Sequence, residues 1–364
     1  MNTQPGKEYI KNHNLESLKE LVSQMGYEHY RAKQIYHALF TDKVNSFDEI
    51  TTLPVDFREK LKEKFEINTL NIKQVRRSED GSVKFLFSLR DGKSIEAVYM
   101  PWYDSDGQTI DRVTLCISSM AGCPVGCAFC ATGTLGFLRN LEAAEIIEQV
   151  IAVEKELGEK ITNVVYMGMG EPLLNYKNVA RSMELMTDPD SDLLSRRKVT
   201  LSTSGVAPRI KQLAKEPRPV KLAISLHATT NGTRRRIMPI TESFDIRKLM
   251  DAVEEYYRNT KMQITYEYIL FDGLNDTKDD AKRLAKIAKR VPSRVNIIPY
   301  NDISFTNPTG IAAELKRASK EKTYEFARQL KEQGAVVVLR DTFGGDIEAA
   351  CGQLALSEGE KEKV

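Results

Sequence analysis

Between residues 14 and 67, apolar positions recur at the three- and four-residue spacing of amphipathic helices. Leu15, Leu18, Leu21 and Val22 mark the first helix. Tyr30–Phe40 is the second, with Ala32, Ile35, Tyr36 and Leu39 on one face. Residues 55–65, entered through Pro54, are the third. The period then shortens to two. Residues 72–77 and Val83–Leu89 read as strands joined by a Glu79-Asp80-Gly81 turn. Residues 95–101 read as another strand, apolar apart from Glu96, and the alternation puts Glu96 on a solvent face. The loop of residues 102–108 follows. Residues 1–95 are therefore expected to form a small α+β accessory domain.

From Arg112 the pattern alternates. Strands are expected at 112–118, 163–167, 198–202, 221–226, 263–270, 294–298 and 335–339. Helices are expected at 143–157, 177–186, 207–213, 246–257, 278–290 and 320–333. Regular βα alternation argues a parallel sheet with right-handed crossovers, in an α/β core over residues 96–345. Functional residues of such a sheet gather at the carboxyl ends of its strands. Residues 346–364 remain as a C-terminal tail. No repeat beyond the βα unit and no low-complexity stretch interrupts this order.

A length of 364 residues suits about two domains, and 41% hydrophobic with 29% charged residues suits an ordinary packed core. No apolar run spans a membrane and Met1 to Lys11 lacks a signal-peptide pattern, so the expected location is cytoplasmic, with no membrane contact. A net charge of +2 exerts no global pull on nucleic acid. Any RNA binding rests on local groups such as Arg31, Lys33, Arg76 and Arg77, or on the run Arg234-Arg235-Arg236.

Candidate chemistry is concentrated in Cys123-Pro124-Val125-Gly126-Cys127-Ala128-Phe129-Cys130, which holds three of the five cysteines. Thiolates at this C-x3-C-x2-C spacing hold zinc or an iron–sulfur cluster. A structural zinc site asks for a fourth ligand from a second C-x2-C or H-x3-H, and His13, His29, His37 and His227 are scattered singly. On a four-iron cluster, three ligands leave one iron open. Further polar groups fall at successive strand ends: Gly168-Met169-Gly170-Glu171-Pro172, Ser202-Thr203-Ser204-Gly205, Ser225-Leu226-His227, and Asn301. Two cysteines remain. Cys116 lies in the first core strand. Cys351 lies between Gly344-Gly345 and Gly352, a placement that predicts a thiol on a mobile arm.

C-x3-C-x2-C with Phe129 before the last cysteine resembles the signature of the radical S-adenosylmethionine (SAM) superfamily. The fuller set is similar to one family within it, the radical SAM RNA adenosine methyltransferases. That set is Cys116-Ile-Ser-Ser, Arg139-Asn140-Leu141, Met167-Gly-Met-Gly-Glu-Pro, Ser202-Thr-Ser-Gly, Ser225-Leu-His and Asp346-Ile-x-Ala-Ala-Cys-Gly-Gln-Leu. The likeness runs from the N-terminal helices to Leu354. It departs at Met120, where the family more often has Gln, and at Phe343-Gly344-Gly345-Asp346, where the C2-methylating branch often has Arg-Gly-Asp-Asp.

The resemblance implies a six-stranded partial βα barrel of the radical SAM type, a (βα)6 relative of the TIM barrel, with an N-terminal accessory domain. It implies one [4Fe-4S] cluster on Cys123, Cys127 and Cys130. It also implies SAM contacts from Gly170, Glu171, Ser202, Ser225, Leu226, His227 and Asn301, and two SAM molecules per turnover. Cys351, with a lowered thiol pKa, would take a methyl group and later carry it to adenine. Glu96 would remove the adenine proton, and Cys116 would attack the Cys351 sulfur, forming a transient disulfide that frees the product. The implied substrates are an adenosine of 23S ribosomal RNA, methylated at C2, and adenosine 37 of some transfer RNAs. The implied partners include a reducing protein such as flavodoxin or ferredoxin, and the enzyme is expected to act as a monomer. The sequence leaves open C8 methylation of the same ribosomal adenosine, a radical SAM enzyme with another substrate, and a zinc-stabilised RNA-binding module.

Overall fold

A computed structural model of the chain describes residues 6–104, 107 and 109–355. Residues 1–5, part of the 102–108 loop and the tail beyond Ala355 lie outside the described residues. The chain opens with three helices, α1 (Leu15–Gln24), α2 (Tyr30–Phe40) and α3 (Val55–Lys64). Asn14 caps α1 by accepting from Ser17 N–H. Leu15, Leu18 and Val22 of α1 are buried, as are Ile35, Tyr36 and Leu39 of α2 and Phe57 and Leu61 of α3. The helical spacing of these residues thus marks the packed face. This helical unit is tied to helix α4 (Ala143–Leu157) by a fully buried ion pair, Lys11–Glu148, and by Lys43–Glu154 at 2.5 Å.

From Leu70 onward the strands build one ten-stranded sheet whose spatial order follows the chain. They are β1 (Leu70–Arg77), β2 (Val83–Leu89), β3 (Ser94–Tyr103), β4 (Ile110–Cys116), β5 (Asn163–Tyr166), β6 (Val199–Thr203), β7 (Lys221–Ser225), β8 (Ile264–Leu270), β9 (Ser293–Pro299) and β10 (Val337–Leu339). β1 to β4 form an antiparallel meander, and β4 to β10 are parallel. The outer layer is α4 with α5 (Tyr176–Met186), α6 (Ala207–Leu213), α7 (Asn231–Ile237), α8 (Ile246–Thr260), α9 (Lys278–Ala288) and α10 (Lys320–Glu332). Strands covered on both faces read as near-continuous apolar runs, and six of the seven residues of β8 are buried. β1 and β10 are the two edges, so the wall stays open, as a partial barrel requires. The expected six strands are joined by the three-residue β10 at the far edge.

Two expectations change here. The boundary near residue 95 falls inside β3, which bonds β2 on one side and β4 on the other, so the accessory strands continue the barrel sheet. Glu96 does not face solvent. It is 1% exposed, because the tail roofs its face of the sheet. Asp346 accepts from Ser78, Gly344 N–H donates to Asp80, and Lys84 donates to the Glu348 carbonyl at 3.1 Å. Among the described residues, no helix is long and apolar enough to cross a membrane.

Candidate active site

The loop after β4 carries the cysteine triad. A short hairpin, Met120–Gly122 against Phe137–Asn140, leads into it. Gly122 has φ +73°, and a Cβ there would meet the Gly136 carbonyl at 2.0 Å, so the tight pairing asks for glycine. Cys123 N–H bonds the Gly136 carbonyl, and Ala128 N–H bonds that of Ile237. Phe129 packs edge-on against His227 at 4.7 Å.

All three thiols line one cavity of about 130 Å³, together with Gly168, Gly170, Glu171, Ser202, Ser225 and His227. Burial pushes the Cys123 thiol up to about 12 and Cys127 well above its ordinary value. Thiols in such surroundings become ligands when a metal replaces the proton. Among the described residues, no three His, Cys, Asp or Glu side chains meet as chelators of a single ion. The triad instead offers three soft donors around one space with no fourth ligand. That donor set fits an iron–sulfur cluster with one open iron, and it is not the four-ligand set of structural zinc.

The expected SAM-contact residues divide. Gly170, Glu171, Ser202, Ser225 and His227 share the triad's cavity. Gly170 has φ +100° and backs onto Met120, where a Cβ would sit 2.6 Å from the Met120 Cβ. Glu171 is 3% exposed, and its carboxylate already accepts from Leu173 N–H, Thr203 Oγ1 (2.7 Å) and Ser204 N–H (2.6 Å). It thereby holds the ends of β5 and β6 together. His227 Nδ1 accepts from Ile269 N–H at 3.0 Å, and burial holds its pKa down to about 3, so the ring is the neutral Nε2–H tautomer. Leu226 is fully buried in the core and outside the cavity lining. Asn301 is not in that lining either. Its amide donates to the Cys351 carbonyl at 3.1 Å and so positions the tail.

A larger cavity of about 230 Å³ adjoins the first. Cys116 and Cys351 both line it, and Met167, Glu267, Ile298, Cys351 and Gly352 are common to the two. All five cysteines are free thiols. Cys351 is not on a loose arm. Asn301 holds its carbonyl, Ala131 N–H bonds the Gly352 carbonyl, and Thr132 bonds that of Leu354. Its exposed surface faces the two cavities. The expected low thiol pKa is also overturned. Burial, then the neighbouring Glu267, pushes Cys351 up to about 12, and burial followed by Cys351 does the same to Cys116.

Glu96 lies on the face of β3 that Val98 and Met100 share, and Val98 pairs with Cys116, but Glu96 lines neither cavity and borders a separate crevice with Gln74, Arg76, Lys84 and Leu86. It pairs with buried Lys84 at 2.6 Å, and burial raises its pKa against the pull of Lys84. The arginine run splits. Arg234 is fully buried, donating to the carbonyls of Leu226, Ser225 and Ser204 and to Thr241 Oγ1, so it clamps the strand ends instead of contacting phosphate. Arg235 pairs with Glu242 on the surface.

Glu267 is the site residue that periodicity alone passed over. Its signal was a lone carboxylate in the apolar run of β8. It is buried, accepts from Asn296 at 2.9 Å, and burial pushes its pKa up to about 7.

Residues 117–287 match the Radical SAM superfamily, and residues 10–67 match the Ribosomal RNA large subunit methyltransferase N-terminal domain. A probable dual-specificity RNA methyltransferase RlmN from Thermotoga sp. (strain RQ2) is 46% identical, over 94% of this chain and 95% of its own length. The dual-specificity RNA methyltransferase RlmN of Geotalea uraniireducens is 42% identical over 95% and 96%. A crystal structure of a radical SAM methyltransferase from Sphaerobacter thermophilus superposes with a TM-score of 0.86 at 36% identity, covering 95% of this chain and 99% of that one.

Proposed function

The chain belongs to the RlmN family of radical SAM RNA methyltransferases, and from that premise we propose that it methylates C2 of an adenosine in the peptidyl-transferase loop of 23S ribosomal RNA and adenosine 37 of some transfer RNAs. The observation that carries the reading is the meeting of Cys116 and Cys351 in one cavity that opens onto the cysteine triad. A radical SAM enzyme for another substrate has no use for these two thiols in that place.

Cys123, Cys127 and Cys130 would hold the [4Fe-4S] cluster, and the polar groups of Ser202, Ser225 and His227 in the same cavity would contact SAM. Bound there, cluster and SAM supply a methyl group and a 5′-deoxyadenosyl radical, with two SAM molecules used per turnover. Cys351 receives the methyl group on sulfur; once that methyl has given up a hydrogen atom to the radical, the remaining methylene, still on the Cys351 sulfur, bonds the adenine carbon and the adduct gives up one electron. A ring carbon of adenine is not nucleophilic enough for direct displacement on a methyl donor, which is why a protein-borne methyl group is needed. Glu96 takes the ring proton, and its burial suits a carboxylate that must act as a base. Reaching the ring requires the roof of residues 344–351 to lift from Lys84 and Glu96. Cys116 thiolate then attacks the Cys351 sulfur. A disulfide forms between them, the carbon–sulfur bond to the RNA breaks with its electron pair going to the carbon, that carbon takes up a proton to become the methyl group, and the methylated base leaves.

A low-potential protein such as flavodoxin or ferredoxin supplies the electrons, and the enzyme works as a cytoplasmic monomer. The C8-methylating branch is the second reading, and the dual-specificity name of the relatives favours the first. Mass spectrometry of nuclease-digested RNA, beside synthetic 2-methyl- and 8-methyladenosine, decides between them. The expected product is 2-methyladenosine. Only 8-methyladenosine, or no methylated adenosine, overturns the proposal.

A further inference from the structure

The larger cavity extends away from the cysteines. Along β4, Thr114 and Arg112 line it below Cys116, and four residues of strand separate Arg112 from Cys116 by about 13 Å. In that direction three cations line the same space, and a fourth reaches it from the open side of the wall. Arg112, Lys221 and Arg294 stand at the amino ends of β4, β7 and β9, and Arg340 follows edge strand β10. All four are half-buried and Gln263 between them is exposed, so the cavity meets solvent there.

These cations are not neutralised in the ordinary way. Arg112 and Arg340 lie over the Trp102 ring at 4.4 and 5.1 Å. Arg294 donates to the Gln263 amide oxygen, a neutral partner. Arg112 keeps a buried Nε with no partner among the described residues. They also repel one another. Burial and then Arg340 lower the Arg112 pKa, and burial, then Arg294, Lys198 and Arg112 lower that of Lys221. The acids nearby are Asp111 beside Arg112, and Asp341 and Glu267 in the lining, and burial holds Glu267 toward its neutral form.

Like charges held together, with none of the four in an ion pair among the described residues, are relieved by an anion, and guanidinium forks match phosphate oxygens. We propose that Arg112, Lys221, Arg294 and Arg340 form a phosphate-binding subsite that grips the RNA backbone beside the target adenosine while that base reaches Cys116 and Cys351. The subsite rests on the RNA-methylating reading. It places the RNA at the amino-terminal end and open side of the barrel, opposite the cluster loop.

The test uses the full-length protein with its cluster, kept anaerobic, and a stem-loop RNA that the wild type methylates. Lys221→Gln and Arg294→Gln are compared with Arg112→Lys, which keeps the charge over Trp102. Lys282→Gln, on the exposed face of α9, loses one charge elsewhere. Iron content and circular dichroism report folding. Removing one phosphate contact weakens RNA binding about tenfold and lowers the slope of log affinity against log salt by about 1. Lys221→Gln and Arg294→Gln are expected to show both changes, and Arg112→Lys and Lys282→Gln much less. Trp102 is the chain's only tryptophan, so RNA binding should also change the protein's fluorescence. Wild-type affinity and salt slope in folded Lys221→Gln and Arg294→Gln would overturn the subsite while leaving the methyltransferase reading intact. A wild type that neither binds nor methylates RNA would overturn both.

Discussion

Cys116 and Cys351 occupy one cavity but are held differently. Cys116 is fixed in a strand between β3 and β5, whereas Cys351 sits in a turn pinned by Asn301 and the residues after the triad. The turn faces both cavities, so Cys351 is the thiol able to serve each in succession. Cys351→Ala should therefore give neither methylated RNA nor an RNA–protein adduct. Cys116→Ala should stall with RNA attached, since no other thiolate is placed to attack the linking sulfur. The double variant should show no adduct. A denaturing gel with and without nuclease reads all three, and an adduct in Cys351→Ala contradicts the assignment. Glu267 gives a prediction about pH. Its folded pKa of about 7 lies above the ordinary 4.5, so the folded protein binds more protons than the unfolded chain between these values. Stability from this group is present below pH 4.5 and is lost as pH rises through 7. Glu267→Gln keeps the Asn296 contact without titrating. Its stability advantage over wild type should widen by up to about 3 kcal/mol between pH 4.5 and 7. Denaturant midpoints at pH 5 and pH 8 measure this, and an unchanged gap would show that the carboxyl ionises normally.

Helix α4 is the element on which the N-terminal unit and the barrel meet. Its outer face takes the Lys11 and Lys43 ammonium groups on Glu148 and Glu154, while Gln149 on its inner side bonds both Ser118 N–H and the Ser118 carbonyl just past β4. One helix thus fixes the N-terminal helices and the start of the cysteine loop together. Lys11 and Glu148 are nearly without exposure. Removing one partner strands a buried charge. Lys11→Met should therefore destabilise the protein by about 3 kcal/mol, while Lys11→Met with Glu148→Met should recover most of the loss. Chemical denaturation of the two variants checks this. Equal destabilisation by the single and double changes would mean that packing, not charge, dominates there.

At the scale of the molecule, continuity of the sheet decides how the parts can be separated. The meander of β1 to β3 is bonded through β4 to the parallel wall, and its turns carry the start of the tail that brings Cys351 to the cavity. A chain beginning near residue 95 would expose the full edge of β3, strip Lys84 from Glu96 and free the tail from Ser78 and Asp80. Such a truncation should express poorly and bind little iron. A soluble product with full iron content would show that the core tolerates the open edge.

The sequence by itself determined the triad, its ligand count and the succession of strands and helices, because these depend on local spacing and local period. The strand ends bearing Gly170, Ser202, Ser225 and His227 were legible for the same reason: in a parallel sheet, position along the strand decides which end a residue occupies. Only the tertiary structure decided what depends on distant partners. Lys84 and Glu348 meet across 264 positions, and that contact belongs to the roof that turns Glu96 from a solvent-facing residue into a buried carboxylate. Arg234 reads as part of a surface charge run until three carbonyls at the ends of two strands surround it. Glu267 reads as an interruption of an apolar strand until the fold sets it between two cavities. A period of two assigns a residue to a face, but it does not contain what will cover that face. That is settled when the tail folds back over the sheet and brings Cys351 to Cys116.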